Sequence, residues 1–218
     1  QRWLFVAVAV MVAIGWNRLA EYVAPYEVQW NRTRGDRSRD VLHAVANESL
    51  TIVALLIAPV FTGRLPWEAR WPSELPFAIE VTFAVIVADI GITVAHVASH
   101  RVRSLWRLHA VHHSATRLYG FNGLMKHPLH QSIETLAGVA PLLLLAVPTP
   151  VGAALGAVVV IQLNVQHSNA TYLAGALHRW CAFNQGHRLH HRNRVPDGDV
   201  NFGLFLLVWD RILHTYAA

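Results

Sequence analysis

The sequence predicts an all-α integral-membrane protein with four to five membrane helices, namely three spans plus a helical hairpin, under a cytoplasmic His-rich helical cap. Three observations carry this. Hydrophobic residues make up 54% of the 218 residues and charged ones only 14%, too apolar for an ordinary soluble domain. Apolar runs recur at or near the roughly 20 residues that a span needs. The 14 histidines outnumber Asp and Glu together, at 13, and they gather between those runs.

The first apolar run covers about 3–20 and ends at Asn17 and Arg18. No small-residue cleavage site follows it, so it reads as a span and not as a removable signal. A polar stretch, 26–40, carries Arg32, Arg34, Arg37 and Arg39. The second span is expected over about 42–62. The loop after it holds Pro66, Trp67, Trp71 and Pro72, and its tryptophans suit a membrane interface. The third span is expected over about 75–98. Runs at 132–147 and 151–166, joined by Pro148-Thr149-Pro150, are each short for a straight span and read as a hairpin returning to the side it left. The basic 26–40 and 99–131 segments then face the cytoplasm, against only Arg64 and Arg70 in the intervening loop. That topology puts every His-rich segment on one face. No repeat or linker divides the chain, which is expected to be one domain over 1–218.

The net charge of +5 comes from 17 arginines and the single Lys126, offset by the acidic residues. Those arginines flank apolar runs, which points to an anionic lipid surface and not to nucleic acid. Cys181 is the only cysteine, which excludes an intrachain disulfide, a thiolate metal site and an iron–sulfur cluster. No Gly-rich dinucleotide fingerprint is present, and no flavin, haem or nucleotide site is expected in the chain.

Ten histidines fall in groups with ligand spacing. His96 and His100 lie one helical turn apart at the end of the third span. Asp89 sits on the same stripe inside the span, where a lone carboxylate is costly and usually functional. It is expected to accept the N–H of a ligating imidazole. His109, His112 and His113 form one H-x-x-H-H group, and His187, His190 and His191 form another. On a helix each group is expected to aim three imidazoles at one point. His127 and His167 stand at the mouth of the hairpin. Neutral imidazole binds iron, zinc, copper or nickel. One metal cannot use so many histidines, whereas two can, with positions left for oxygen or water.

These residues resemble the fatty acid hydroxylase superfamily of sterol desaturase-like membrane oxygenases. The resemblance runs over about 85–216. It rests on Asp89 with His96 and His100, the run Leu105 to Ser114, His127-Pro128-Leu129, His167-Ser168-Asn169, His187 to His191, Asn201-Phe202-Gly203 and Trp209-Asp210-Arg211. Two places depart from the pattern. His130 stands where many members have an early Glu, with Glu134 further on, and His214 takes a position often held by Gly.

The resemblance implies a non-haem centre of two iron ions held by the ten histidines, with O2 as co-substrate and zinc able to replace iron in purified material. Asn122, Asn169, Asn201 and Asp210 join Asp89 as candidates to support the ligands. His130 is a candidate extra ligand or cavity residue. Residues 202–213 are expected to form an interfacial helix closing the cap. The implied reaction is hydroxylation of an apolar, lipid-like substrate taken from the bilayer. Electrons would come from a separate reductase, ferredoxin or cytochrome; the basic residues around 101–107 and 188–194 suit an acidic donor and lipid headgroups equally. A desaturase or sterol methyl oxidase with the same centre is the alternative. A non-catalytic metal-binding membrane protein is a further one, disfavoured because the ligands gather on one face instead of along a path.

Overall fold

The structure is a computed structural model and describes residues 2–64, 70–192 and 198–218. Pro66, Trp67 and Arg194 lie outside the described residues. Among those described, the fold is all-helical. The helices are α1 (Arg2–Val23), α2 (Arg37–Thr62), α3 (Phe77–Arg101), α4 (Arg103–His113), α5 (Pro128–Leu144), α6 (Thr149–Gln166), α7 (Asn184–His190) and α8 (Val208–Ile212). Short 3-10 turns at Val28–Asn31, Gly120–Leu124 and Gly175–Arg179 link them.

Among the described residues, three helices are long and apolar enough to cross a membrane: Leu4–Val23, Phe77–Arg101 and Thr149–Gln166. The protein is an integral-membrane protein. Helix α2 covers the second expected span in one continuous 26-residue helix. The hairpin forms, but its second arm is longer than its apolar run. Thr149 and Pro150 belong to α6, with proline in the first turn, where its fixed φ and missing N–H cost nothing. In the same way α5 starts at Pro128, not near 132, with His127 as its cap.

Long-range contacts bring five helix ends together. The carboxylate of Glu21, near the end of α1, accepts the Asn169 N–H just beyond α6 at 3.0 Å. Tyr119 donates its hydroxyl to Asp40 at the start of α2. Ser99, at the end of α3, meets His130 in the first turn of α5 at 2.9 Å. All the histidine groups therefore share one end of the bundle. The core of the opposite half is built from Trp71, Ala84, Ala88, Leu142, Val151 and Leu155. Trp71, expected at the interface, is buried there, because its indole N–H donates to Glu80 at 2.6 Å.

Helix α3 packs on α5 and α6. Its approach to α5 is set by Gly91: a Cβ there would lie 2.1 Å from the Ala137 carbonyl oxygen. Small residues at such crossings let membrane helices approach backbone to backbone. Gly91→Leu is expected to force the helices apart and displace His96, five residues on. The check is a lowered Tm together with loss of bound metal; unchanged values would show that the crossing does not position the site.

The C-terminal segment departs from the expected interfacial helix. Only Val208–Ile212 is helical, and the preceding residues form an irregular loop over α3. Two carboxylates supply the partners that a helix would otherwise give its N–H groups. Asp89 accepts from the backbone of Leu204, Phe205 and Leu206 at 2.9–3.1 Å and from the Trp209 indole at 2.7 Å. Asp210 accepts from Phe202 and Gly203 at 2.7 and 2.9 Å. His214 sits at φ 57°, in the left-handed region that explains why glycine suits this position.

Candidate metal centre

Nine imidazoles converge in two adjacent groups. His96 and His100 from α3, His109 and His113 from α4, and His190 from α7 form the first. His112 from α4, His167 at the end of α6, and His187 and His191 from α7 form the second. Within each group the candidate ligand atoms lie within 4.8 Å of one another. The groups abut, with the His113 and His191 rings stacked at 4.4 Å.

Each H-x-x-H-H motif is divided between the groups instead of serving one point. His109 and His113 face the first group and His112 the second; His187 and His191 face the second and His190 the first. Helix geometry explains the division. Positions i and i+4 differ by only about 40° around the axis, whereas i+3 lies about 100° from i+4. Two motifs facing each other thus give each group a pair from one helix and a single histidine from the other.

Backbone carbonyls fix the tautomers. The Nδ1–H of His96 donates to Phe202 O at 2.9 Å, that of His112 to Met125 O at 3.1 Å, that of His167 to Leu163 O at 2.8 Å and that of His190 to Val200 O at 2.9 Å. His100 Nδ1 meets the Asp199 carboxylate at 2.8 Å. Each Nε2 is left as a bare lone pair. In the His112–His167 pair both Nε2 atoms are then acceptors, yet they stand 3.0 Å apart. No proton bridges such a pair. The Nε2 atoms of His187 and His167, and of His96 and His109, lie 2.9 and 3.1 Å apart. Two nitrogens each about 2.0–2.1 Å from one metal, at an angle near a right angle, stand about 3 Å apart. The Nε2 atoms of His100 and His190 are buried without a partner. The donor set fits a metal ion in each group.

Burial pushes His112, His187, His190 and His191 well below the usual imidazole range, helped by neighbouring imidazoles. Burial and His100 push His113 down to about 3. These side chains are neutral at ordinary pH, the form that binds a metal.

The structure does not bring His127 to either group. Its ring caps α5, accepting the Leu129 N–H at 3.1 Å. His130 is fully buried instead, with its ring 4.4 Å from that of His109. With His109 and Glu134 it forms a third, smaller cluster. Glu134 also pairs with Lys126.

The expected supporting residues do not touch imidazoles. Asp89 and Asp210 hold the C-terminal loop, as described above. Asn122 bonds locally to Arg117 O and Tyr119 N. Asn169 ties the exit of α6 to Glu27 and Asn31. Asn201, at φ 54°, joins Gly186 O to the chain end at Ala217. The imidazole partners that sequence reading missed are Asp199 and four carbonyls. A carbonyl has no residue signature, so only Asp199 was findable, from its place beside the second H-x-x-H-H group.

The sequence model of the fatty acid hydroxylase family matches residues 81–215. The chain belongs to the fatty acid hydroxylase family. Among curated relatives, the ornithine lipid hydroxylase OlsE of Rhizobium tropici is 30% identical over 207 residues, covering 91% of this chain and 62% of that protein. The alkylglycerol monooxygenase of Danio rerio is 27% identical over 159 residues, covering 71% of this chain and 32% of its own length. The chain thus spans less than two thirds of the length of either. No solved structure matches. The fatty acid hydroxylase match contains all nine converging histidines, and the relatives are lipid hydroxylases or monooxygenases.

Proposed function

We propose that this fatty acid hydroxylase family member is a membrane-bound di-iron oxygenase that hydroxylates a lipid with O2 and electrons from a separate donor. The observation that carries it is the pair of imidazole groups with bare Nε2 atoms. Two iron ions, held by His96, His100, His109, His113 and His190 and by His112, His167, His187 and His191, would supply the oxidising power for an unactivated C–H bond. The protein's own groups fix the ligand tautomers, bury the centre and exclude bulk water. The names of the relatives favour a polar lipid as substrate and hydroxylation over desaturation.

A cytoplasmic site is supported by charge. The end of the bundle that carries the histidines also carries Arg32, Arg34, Arg37, Arg39, Arg101, Arg103 and Arg107. The same basic face suits an acidic reductase, ferredoxin or cytochrome. Mass spectrometry of host lipids, with the active protein and with an inactive variant, tests the reading. A lipid gaining one oxygen is expected. A lipid losing two hydrogens would indicate the desaturase instead, and metal analysis finding fewer than two ions per active chain would overturn the centre.

His130, and not His127, packs against a ligand of this centre, its ring 4.4 Å from that of His109. His127→Ala is expected to retain both metals and most turnover, at a cost of about 1 kcal/mol for the lost cap. His130→Ala is expected to lower turnover by about 10-fold or more, as loss of a group packed on a ligand does. Metal content and rate of the two variants side by side decide between them.

A further inference from the structure

A cavity of about 360 Å³ lies among α2, α3, α5 and α6. Its lining is graded on two of these helices, α5 and α2, and apolar on α3 and α6. On α5 the polar Gln131, Ser132 and Thr135 give way to Leu136, Val139 and Leu143. On α2, Glu48 and Thr51 give way to Ala54. In both helices the polar end is the end that carries the histidines. Ile92 and Leu163, also in the lining, precede His96 and His167 by one turn. From Gly152 to Leu163 along α6 the cavity runs for about 16 Å at 1.5 Å per residue.

Among the described residues, Glu48 is the one acid in this lining. Its neighbour Asn47 donates to Leu124 O and Lys126 O, both at 3.1 Å. Between those carbonyls lies that of Met125, which receives the His112 N–H. Lys126, the only lysine, forms its ion pair with Glu134 and acts on Glu48 only through space. A carboxylate within a membrane bundle is costly unless something pairs with it, and here the open side of Glu48 is a lipid-sized space.

We propose that Glu48 is a specificity-determining residue that receives the hydrogen-bond-donating or cationic head of a single lipid, whose tail fills the apolar half of the cavity. This rests on the hydroxylase reading and deepens it: the head end of the substrate lies beside the histidines, so the oxidised carbon is near the head. Gln131 donates to Thr135 and Ser132 donates to Pro128 O, so these polar groups are matched within α5 and Glu48 is the lining group that the lipid head meets. An acidic head would meet repulsion from Glu48.

The test is binding of matched probes to the full-length protein as purified, with no electron donor added, read by native mass spectrometry. The probes are dodecylamine and dodecanoic acid. Wild type is expected to prefer the amine by about 10-fold or more, the effect of one hydrogen bond to a charged group. Glu48→Gln is expected to reduce that preference to within about 3-fold. Gly156→Leu, which narrows the apolar half, is expected to weaken both probes alike. Equal binding of the probes by wild type, an unchanged preference in Glu48→Gln, or Gly156→Leu binding both probes as wild type does would each overturn the proposal. Because no turnover is read, these outcomes are independent of the lipid analysis that tests the hydroxylase reading. In the product lipid the new hydroxyl is expected close to the head, and a hydroxyl at the chain terminus would overturn the orientation.

Discussion

Asp89→Ala is expected to empty one half of the metal centre and spare the other. Asp89 touches no histidine, but it holds three backbone N–H groups and one indole N–H of the C-terminal loop. Hydrogen bonds to a charged group contribute about 1.5–3 kcal/mol each, so releasing the loop costs several kcal/mol. The same loop supplies Phe202 O to His96, Val200 O to His190 and Asp199 to His100. Those three imidazoles belong to the first group. The second group takes its partners elsewhere, from Met125 O and Leu163 O. Metal analysis of the alanine variant should therefore approach one ion per chain, with turnover lost. Asp89→Asn keeps an acceptor and should fall between. Equal depletion of both ions, or wild-type content, would sink this division of labour.

His190→Ala is expected to abolish turnover, by at least about 100-fold, since even the outer partners of metal ligands contribute about 10- to 100-fold. His190 is fully buried, with Nδ1–H on Val200 O and Nε2 unpartnered among the other rings. Alanine removes one ligand from the first group only. His187→Ala removes one from the second. Both variants should lose turnover, and the two together should lose no more than either alone, because a two-metal centre acts as a unit. Metal content separates them from simple unfolding: each single variant should keep the ion of the other group. A His190→Ala protein with full metal and full turnover would overturn the assignment.

Much of the site was legible because ligand chemistry leaves a residue signature. Repeated H-x-x-H-H spacing, a turn-spaced pair and His167 after an apolar run picked out all nine imidazoles that the fold gathers. His127 stands at the mouth of the hairpin and in the His127-Pro128-Leu129 motif of the family, but there it serves as the cap of α5. His130 is three residues further on, one turn into α5, where it points to the core. The choice between the two depended on where α5 begins, which hydropathy does not fix. Asp89 is buried within α3, as its place in an apolar span implies, but its partners are not imidazoles, because the donors it holds come from backbone more than a hundred residues away.

The sequence by itself determined that this chain is a helical membrane protein with a histidine-rich site at one end. Apolar length and helical spacing are local quantities, readable without the fold. Tertiary structure alone decided how the histidines divide. The splitting of each H-x-x-H-H motif between two groups arises only when α4 and α7 face each other. Which imidazole Nδ1 finds which carbonyl depends on a loop held by Asp89 and Asp210. The polar end of the lipid-sized cavity, marked by Glu48, likewise exists only between four packed helices, because a gradient shared among separate segments has no period in any one of them.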